Sequence, residues 1–422
     1  MNIIEIIENK KNKKNLTEEE IKYVITNFLN GNIKDYQMSS LLMAICINGM
    51  NKEEIFHLTK EMLDSGDTID LSEIPGIKVD KHSTGGIGDK TTLVLLPIVA
   101  SLGVNVAKMS GRGLGFTGGT IDKLESIEGF QVEKTREDFL KQVKEIGISL
   151  VSQSGNLVPA DKKIYALRDV SGTVESLPLI ASSIMSKKLA SGADAIVIDV
   201  KVGEGALMKT LDDARTLANT MKEIGENFGK KMSLFLTNME EPLGYAVGNG
   251  LEVLEAIDTL KGKGPKDLEY LVIKLASQMT SFSLSISLEE AEKRVKDAIT
   301  SLKAYQKFEE WIKYQGGNIN HIDVSSKFQD IKSDEEGFIT KIDALKIGYL
   351  VKDLGAGRNT KEDPIDYGVG IVLHKKVGEY IEKGEPLLTI YYHKEYKEEE
   401  FKKCFTIQEK QHEKNKLIYE IM

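Results

Sequence analysis

The sequence predicts a multidomain α/β protein: a small all-α domain, a large α/β domain and a C-terminal α+β region. Three observations carry this reading. Residues 1–65 show helical periodicity and no strand-like alternation. From residue 77 short apolar strands alternate with helical stretches, which implies a sheet with helices on its faces. Beyond residue 335 short alternating strands are separated by glycine turns. A chain of 422 residues has room for two or three domains, at roughly 150 residues each, and for a sizeable core.

Within the first segment, Thr17 and Glu20 have the spacing of a capping box, which marks a helix start. Met38, Leu41, Leu42 and Ile45 repeat at i, i+3, i+4 and i+7, one face of a helix. A further helix is expected from Lys52 to Asp64, ending at Ser65-Gly66. The segments IKVD, VNVAKM, FQVE, ISLVS and AIVIDVK then read as strands, with helical sequence between them. Residues 91–107 carry no charge but include Pro97 and are too short to span a bilayer, so they read as a buried helix running into a strand. Residues 163–193 interrupt the alternation with helical sequence and are expected to fold back onto the N-terminal helices. The resulting division is 1–66 plus 163–193 for the helical domain, 77–160 plus 194–330 for the α/β domain, and 335–422 for the C-terminal domain. The C-terminal stretch GVGIVLHKKVGEYIEKGEPLLTIYY turns at Gly378 and Gly384. It is similar to the barrel-sandwich hairpins of lipoyl and biotinyl domains, but lacks a modification lysine at a hairpin tip and is read as structural.

Composition removes several function classes. Acids outnumber bases, 65 to 56, for a formal charge of −9, which argues against bulk binding to nucleic acid or an anionic membrane. The two cysteines, Cys46 and Cys404, form neither CxxC nor a disulfide framework, so a reducing compartment is expected. The six histidines are scattered, and no His/Cys cluster exists to hold zinc. The N-terminus lacks the charge order of a signal peptide, and the expected location is the cytoplasm.

Three stretches carry chemistry. In KHSTGGIGDK, residues 81–90, a glycine loop joins a strand to a helix, flanked by Lys81, Ser83 and Thr84. Glycine lets backbone N–H groups approach an anion, the helix start adds partial positive charge, and lysine and hydroxyls complete a cage. The bland alternative is a tight turn. In SGRGLGFTGGTIDKLE, residues 110–125, Gly113, Gly115 and Gly118 match GxGxxG, with Glu133 twenty residues beyond Gly113. That dinucleotide fingerprint leaves unexplained the glycine loop before it and the donors Ser110, Thr117 and Thr120. Two such loops on neighbouring strands read better as one free-anion site, with no NAD. In the third stretch Ile180, Ser183, Ile184 and Lys187 share one helix face, an apolar wall with a hydroxyl and an ammonium suited to a flat, polar-edged ring. A core helix with a snorkelling lysine is the alternative there. Arg168 is equally compatible with a surface ion pair, and His82 stands between two members of the first loop.

Residues 81–90, 110–125 and 159–203 resemble the pyrimidine nucleoside phosphorylase and thymidine phosphorylase family. SGRGL followed by TGGTxDxxE is that family's signature, and the similarity runs on through EEPLGYAVGNGLEVLEAIDTLKGKGP at 240–265. The resemblance implies a homodimer of the nucleoside phosphorylase/phosphoribosyltransferase-like fold, with a cleft that closes between its domains. It also implies reversible phosphorolysis of uridine, thymidine or deoxyuridine to free pyrimidine and (deoxy)ribose 1-phosphate, with inorganic phosphate as co-substrate. Carried over by position, Lys81, Ser83, Thr92, Lys108, Ser110 and Thr120 would hold phosphate. Arg168, Ser183 and Lys187 would hold the pyrimidine edge, walled by Leu114, Ile180 and Ile184. His82 would face the base O2, and His82, Arg168 and Lys187 would be the catalytic groups.

Two departures from the family stand out. Phe116 occupies a position where members usually carry His. Lys90 stands where the potassium-using branch has Thr, while Gly88, Leu243, Ala246 and Glu255 of that cation site are present. Either the Lys90 ammonium takes the metal position and pairs with Glu255, or it points to solvent and leaves the backbone oxygens to potassium. The alternatives in function are a strict thymidine phosphorylase, an enzyme of the anthranilate phosphoribosyltransferase type, an NAD-binding oxidoreductase resting on Glu133, and a catalytically silent binding protein. Lys108-Met109-Ser110 is more like the broad pyrimidine branch than the strict thymidine branch.

Overall fold

The computed structural model describes residues 1–113, 118–153, 156–358, 363–411 and 413–422. The chain opens with α1 (Ile3–Lys11), α2 (Glu18–Leu29), α3 (Asp35–Asn48) and α4 (Lys52–Leu63). Thr17 Oγ1 accepts from Glu20 N at 3.2 Å while Glu20 Oε2 accepts from Thr17 N at 2.9 Å, so the capping box is closed in both directions. Met38, Leu41, Leu42 and Ile45 are all buried, as their spacing requires.

Next come β1 (Val79–Ser83), α5 (Thr91–Ser101), β2 (Val106–Ser110), α6 (Thr120–Glu125), α7 (Arg136–Ile146) and β3 (Ile148–Ser152). They lead into α8 (Pro159–Arg168), α9 (Leu177–Ala190), β4 (Ala195–Val202), α10 (Leu211–Asn227), β5 (Lys231–Asn238) and β6 (Ala246–Val247). A helical block follows: α11 (Asn249–Leu260), α12 (Lys266–Leu284), α13 (Leu288–Thr300) and α14 (Lys303–Tyr314). The C-terminal part holds β7 (Phe328–Lys332), β8 (Gly337–Ile342), α15 (Ala344–Val351), β9 (Gly370–Leu373), β10 (Tyr380–Ile381) and β11 (Pro386–Tyr391). It closes with α16 (Glu398–Lys402), β12 (Phe405–Gln408) and β13 (Ile418–Ile421).

One expected strand is absent: FQVE, residues 130–133, is irregular. Phe130 and Val132 are buried, but their backbone does not join a ladder. Phe130 N donates to Ile127 O, Gln131 N to Gln315 O, and Val132 O accepts from Ser152 N. Without a strand ending at Glu133, the dinucleotide fingerprint loses its structural frame.

The chain divides into two compact units. The first comprises residues 1–73, 153–196 and 212–232, more than the 1–66 plus 163–193 expected. Two contacts explain the surplus. Near the start of α8, a Cβ on Gly66 would lie 2.3 Å from Pro159, so the two chain segments touch there. In α10 the Glu223 carboxylate accepts from Lys52 Nζ at 2.6 Å, and just beyond it Phe228 packs on Phe56 with ring centroids 5.0 Å apart.

The second unit comprises residues 74–152, 197–211 and 233–422. Its four-stranded sheet runs β1-β4-β5-β13, beside the parallel pair β2-β3. Residues Thr91 to Ala100 of α5 are all buried, under α11, α12, α13 and α14. That helix anchors the first glycine loop at its N-terminal end. The C-terminal hairpins take the form of two open antiparallel sheets among the described residues, β6-β9-β11-β7 and β10-β8-β12. They are stitched to the α/β part twice, by β6 on β9 and by β13 on β5. Cys46 and Cys404 are both free thiols. Among the described residues no single helix is long and apolar enough to cross a membrane.

Candidate functional site

In the second unit, alternation along β1 puts Lys81 and Ser83 on one face, and alternation along β2 does the same for Lys108 and Ser110. Lys108 Nζ donates to Asp80 Oδ1 at 3.1 Å and to Lys81 O, which ties the two strand ends together although they belong to different sheets. Lys81 Nζ donates to Thr91 Oγ1 at 2.5 Å, and Thr91 Oγ1 in turn donates to Asp89 Oδ1 at 2.6 Å. Below them Lys201 and Asp199, both fully enclosed, pair at 2.7 Å. Thr84 fastens the loop to β4: its N donates to Asp199 O at 3.0 Å and its Oγ1 accepts from Lys201 N at 2.9 Å. Thr92 is buried one position into α5, and Thr120 is half-buried at the start of α6. His82, between Lys81 and Ser83, alternates to the other face of β1 and is half-buried.

Charges are tightly set here. Burial pulls the Lys81 ammonium below the usual lysine range, against the opposing pull of Asp89 and Asp199. Burial also works to raise the Asp89 carboxyl, but Lys81 and Lys201 outweigh it and hold Asp89 well below the usual range. Lys201 is desolvated too, yet Asp199 and Asp89 keep its ammonium raised. The result is a carboxylate-supported set of cations beneath the loop.

The second glycine loop is clasped by an aspartate. Asp122 Oδ2 accepts from Gly113 N at 2.6 Å, and Asp122 Oδ1 accepts from Arg358 Nη2 at 3.0 Å. Gly119 sits against this clasp: a Cβ there would lie 2.0 Å from Gly113 N. Only glycine admits so close a backbone approach. Leu114, Gly115, Phe116 and Thr117 lie outside the described residues.

The first unit carries the other half of the expected residues. On α9, Ile180, Ser183 and Ile184 are buried, and Lys187 retains 24% side-chain exposure. Lys187 Nζ donates to Ser183 Oγ at 2.8 Å and to Asp161 Oδ2 at 2.5 Å. Asp161 lies on α8 in register with Tyr165 and Arg168, at i, i+4 and i+7, and its second oxygen is buried without a hydrogen-bond partner among the described residues. Arg168 is no surface ion pair. It is 1% exposed, and its guanidinium donates to Thr173 O (3.2 Å), Val174 O (2.7 Å) and Leu179 O (3.2 Å). Burial lowers its pKa from the ordinary arginine value. Those bonds use three of the five guanidinium N–H groups and hold the turn that enters α9.

Asp161, Asp89, Thr91 and the Asp199–Lys201 pair were not among the expected site residues. Asp161 had a signal in its helical register with Arg168. Asp199 and Lys201, at alternate positions of an otherwise apolar strand, had one in their enforced burial.

The five positions of the cation site also converge in the second unit. Lys90 Nζ donates to Ala246 O at 2.7 Å, to Leu243 O at 2.9 Å and to the Glu255 carboxylate. The Lys90 side chain is wholly buried and does not point to solvent. Gly88, at φ +71°, packs so closely that a Cβ would lie 2.6 Å from Leu243 O. These residues do not fit a bound potassium ion, because an ammonium stands among the oxygens that would coordinate it.

Comparison with known proteins matches this arrangement to a family along the chain. The model for the glycosyl transferase family a/b domain matches residues 76–305, and that family's helical bundle domain matches residues 4–66. The pyrimidine nucleoside phosphorylase C-terminal domain matches residues 338–408. A pyrimidine-nucleoside phosphorylase of Staphylococcus epidermidis is 57% identical over 398 residues, 93% of this chain and 92% of that protein. One of Bacillus subtilis is 53% identical over 412 residues, 96% of this chain and 95% of that protein. Among solved structures, anthranilate phosphoribosyltransferase from Thermus thermophilus aligns with a TM-score of 0.59 at 19% identity, covering 73% of this chain and 98% of that one, a likeness of fold alone. Similarity this extensive, over both domains and the C-terminal region, makes the chain a member of the pyrimidine-nucleoside phosphorylase family.

Proposed function

We propose that this protein catalyses the reversible phosphorolysis of pyrimidine nucleosides, giving the free base and a pentose 1-phosphate. The observation that carries the reading is the matched Lys-x-Ser ends of β1 and β2, one cation and one hydroxyl on each, tied together through Lys108. Two cations backed by carboxylates and flanked by hydroxyls suit a phosphate dianion. Phosphate is itself the nucleophile, so the protein's work is to place it beneath C1′ and to stabilise the departing base. In this reading Lys81, Ser83, Thr92, Lys108, Ser110 and Thr120 hold phosphate. Lys187, fixed by Asp161 and Ser183, meets the charge that develops on the pyrimidine carbonyl. Ile180 and Ile184 wall the ring, and Arg168 supports the base edge through the turn it holds. His82 donates toward the base O2. Attack proceeds in line with inversion, and no covalent enzyme intermediate forms. The active species is a homodimer, which light scattering of the purified protein tests.

Uridine, thymidine and deoxyuridine assayed in parallel should each release base only when phosphate is present. Base release without phosphate would mean hydrolysis and overturn the reading. A requirement for magnesium and a diphosphorylated sugar would move it to the phosphoribosyltransferase class.

A pH dependence follows from Lys81. Because burial lowers its pKa, the ammonium is lost on the alkaline side earlier than from an ordinary lysine, whose pKa is about 10.4. The value of kcat/KM for phosphate is therefore expected to fall as pH rises through that lowered pKa. With phosphate saturating, the bound dianion favours the charged lysine, so the same limb in kcat lies at higher pH. Initial rates across alkaline pH at limiting and saturating phosphate check both.

A further inference from the structure

The loop from Pro242 to Ala246 presents its carbonyl oxygens to two buried ammonium groups. Leu243 O and Ala246 O accept from Lys90 Nζ, at 2.9 and 2.7 Å. Pro242 O and Gly244 O accept from Lys376 Nζ, which also lies 3.1 Å from the Asp267 carboxylate. Glu255 completes the first cage: one carboxylate oxygen accepts from Lys90, and the other accepts from Tyr245 N at 2.9 Å and Ala246 N at 3.0 Å. The three protons of the Lys90 ammonium thus meet three oxygens, and no donor is left over. Gly88 O, the remaining oxygen of the potassium set, is engaged by Lys90 N at 2.9 Å. A free potassium ion and this ammonium cannot share the cage.

We propose that the Lys90 ammonium is a tethered monovalent cation that replaces potassium in this chain. It fastens the 242–246 loop to the start of α5, where the neighbouring Asp89 and Thr91 support Lys81. An ion bound from solution dissociates and makes loop order depend on the medium; a tethered one does not. The inference rests on the proposed phosphorolysis only for its activity readout, since its stability readout needs no substrate.

The test compares wild type with Lys90→Thr in tetramethylammonium buffer, then with potassium or ammonium chloride added at constant ionic strength. Wild type is expected to keep the same Tm and the same phosphorolysis rate throughout. Lys90→Thr is expected to unfold at lower temperature in tetramethylammonium and to recover on adding potassium or ammonium. Its KM for phosphate should fall by about tenfold on the same addition, because the cage then regains a cation that fastens α5. A wild-type Tm or rate that rises with potassium overturns the proposal, and this arm decides even if the variant does not fold. A folded Lys90→Thr protein indifferent to both ions overturns it as well. Loss of phosphorolysis in every sample, with the Tm pattern intact, would sink the assigned reaction and leave the tethered cation standing.

Discussion

Replacing Lys187 with methionine is expected to lower kcat/KM for every pyrimidine nucleoside by about 10²–10³-fold, the usual cost of removing one donor from developing negative charge. Methionine keeps the length and apolar stem of the side chain and removes only the ammonium. The fold should survive at a cost of about 1–3 kcal/mol, because Asp161 Oδ2 loses its partner and, among the described residues, Oδ1 has no hydrogen-bond partner to share the load. Asp161→Asn removes the carboxylate charge but keeps an oxygen that can accept from Lys187 Nζ. The anchor weakens from a charge-paired to an ordinary hydrogen bond, so a fall of about tenfold, mostly in kcat, is expected. The double variant should be little worse than Lys187→Met, since Asp161 acts through Lys187. Steady-state kinetics of the three variants with thermal denaturation decide the matter. A Lys187→Met enzyme with unchanged kcat would remove α9 from the chemistry.

Gly119→Ala is the second large expected effect, and it arises from shape alone. The added methyl group would sit 2.0 Å from Gly113 N and 2.6 Å from Asp122 Oδ2, so the backbone must move. Overpacking of this kind costs about 1–3 kcal/mol. Its main consequence lies in the second glycine loop, because moving Gly113 away breaks the 2.6 Å bond to Asp122. Ser110, only three residues before Gly113, is displaced with it, and KM for phosphate should rise about 100-fold, roughly 2.7 kcal/mol of lost binding. Affinity for nucleoside alone should change far less, because α9 belongs to the other unit. Phosphate titration by calorimetry beside nucleoside titration checks this. Equal loss of both would point to general unfolding instead.

Local signals read well wherever local chemistry decides. Thr17 and Glu20 announced their helix because a capping box is complete within four residues. The uncharged run at 91–107 became α5 and β2 because so apolar a segment has no place but the core. FQVE misled for the opposite reason. Phe130 and Val132 are buried by packing, while Gln315 supplies the backbone partner of Gln131 from the end of α14. Alternation over four residues cannot distinguish those causes. Of the candidate site, the lysines and hydroxyls of the glycine loops stood out in composition and spacing. Asp161 was hidden because an acid in the first turn of a helix already has an ordinary electrostatic reason to be there. The meeting of Lys90 with Leu243 and Ala246 joins positions 153 and 156 residues apart, which no window along the chain can see. Only the family resemblance brought those residues together on paper. The reach of the first unit was missed likewise, since α10 joins it through Lys52 and Phe56 at the far end of the sequence separation.

Lys81, Lys90 and Lys201 are 0% exposed and Lys123 is 1% exposed, whereas the Lys187 side chain keeps 24%. Amine-directed acylation will therefore sort the lysines by depth. Reagent reaches Lys187 in the intact fold, and a bound nucleoside would shield it. It reaches Lys90, Lys123 and Lys201, none of which is assigned to phosphate, only when the second unit opens as a whole. Mass mapping of acylated peptides thus separates occupancy at α9 from global opening in one sample, without a dye or a spectroscopic label.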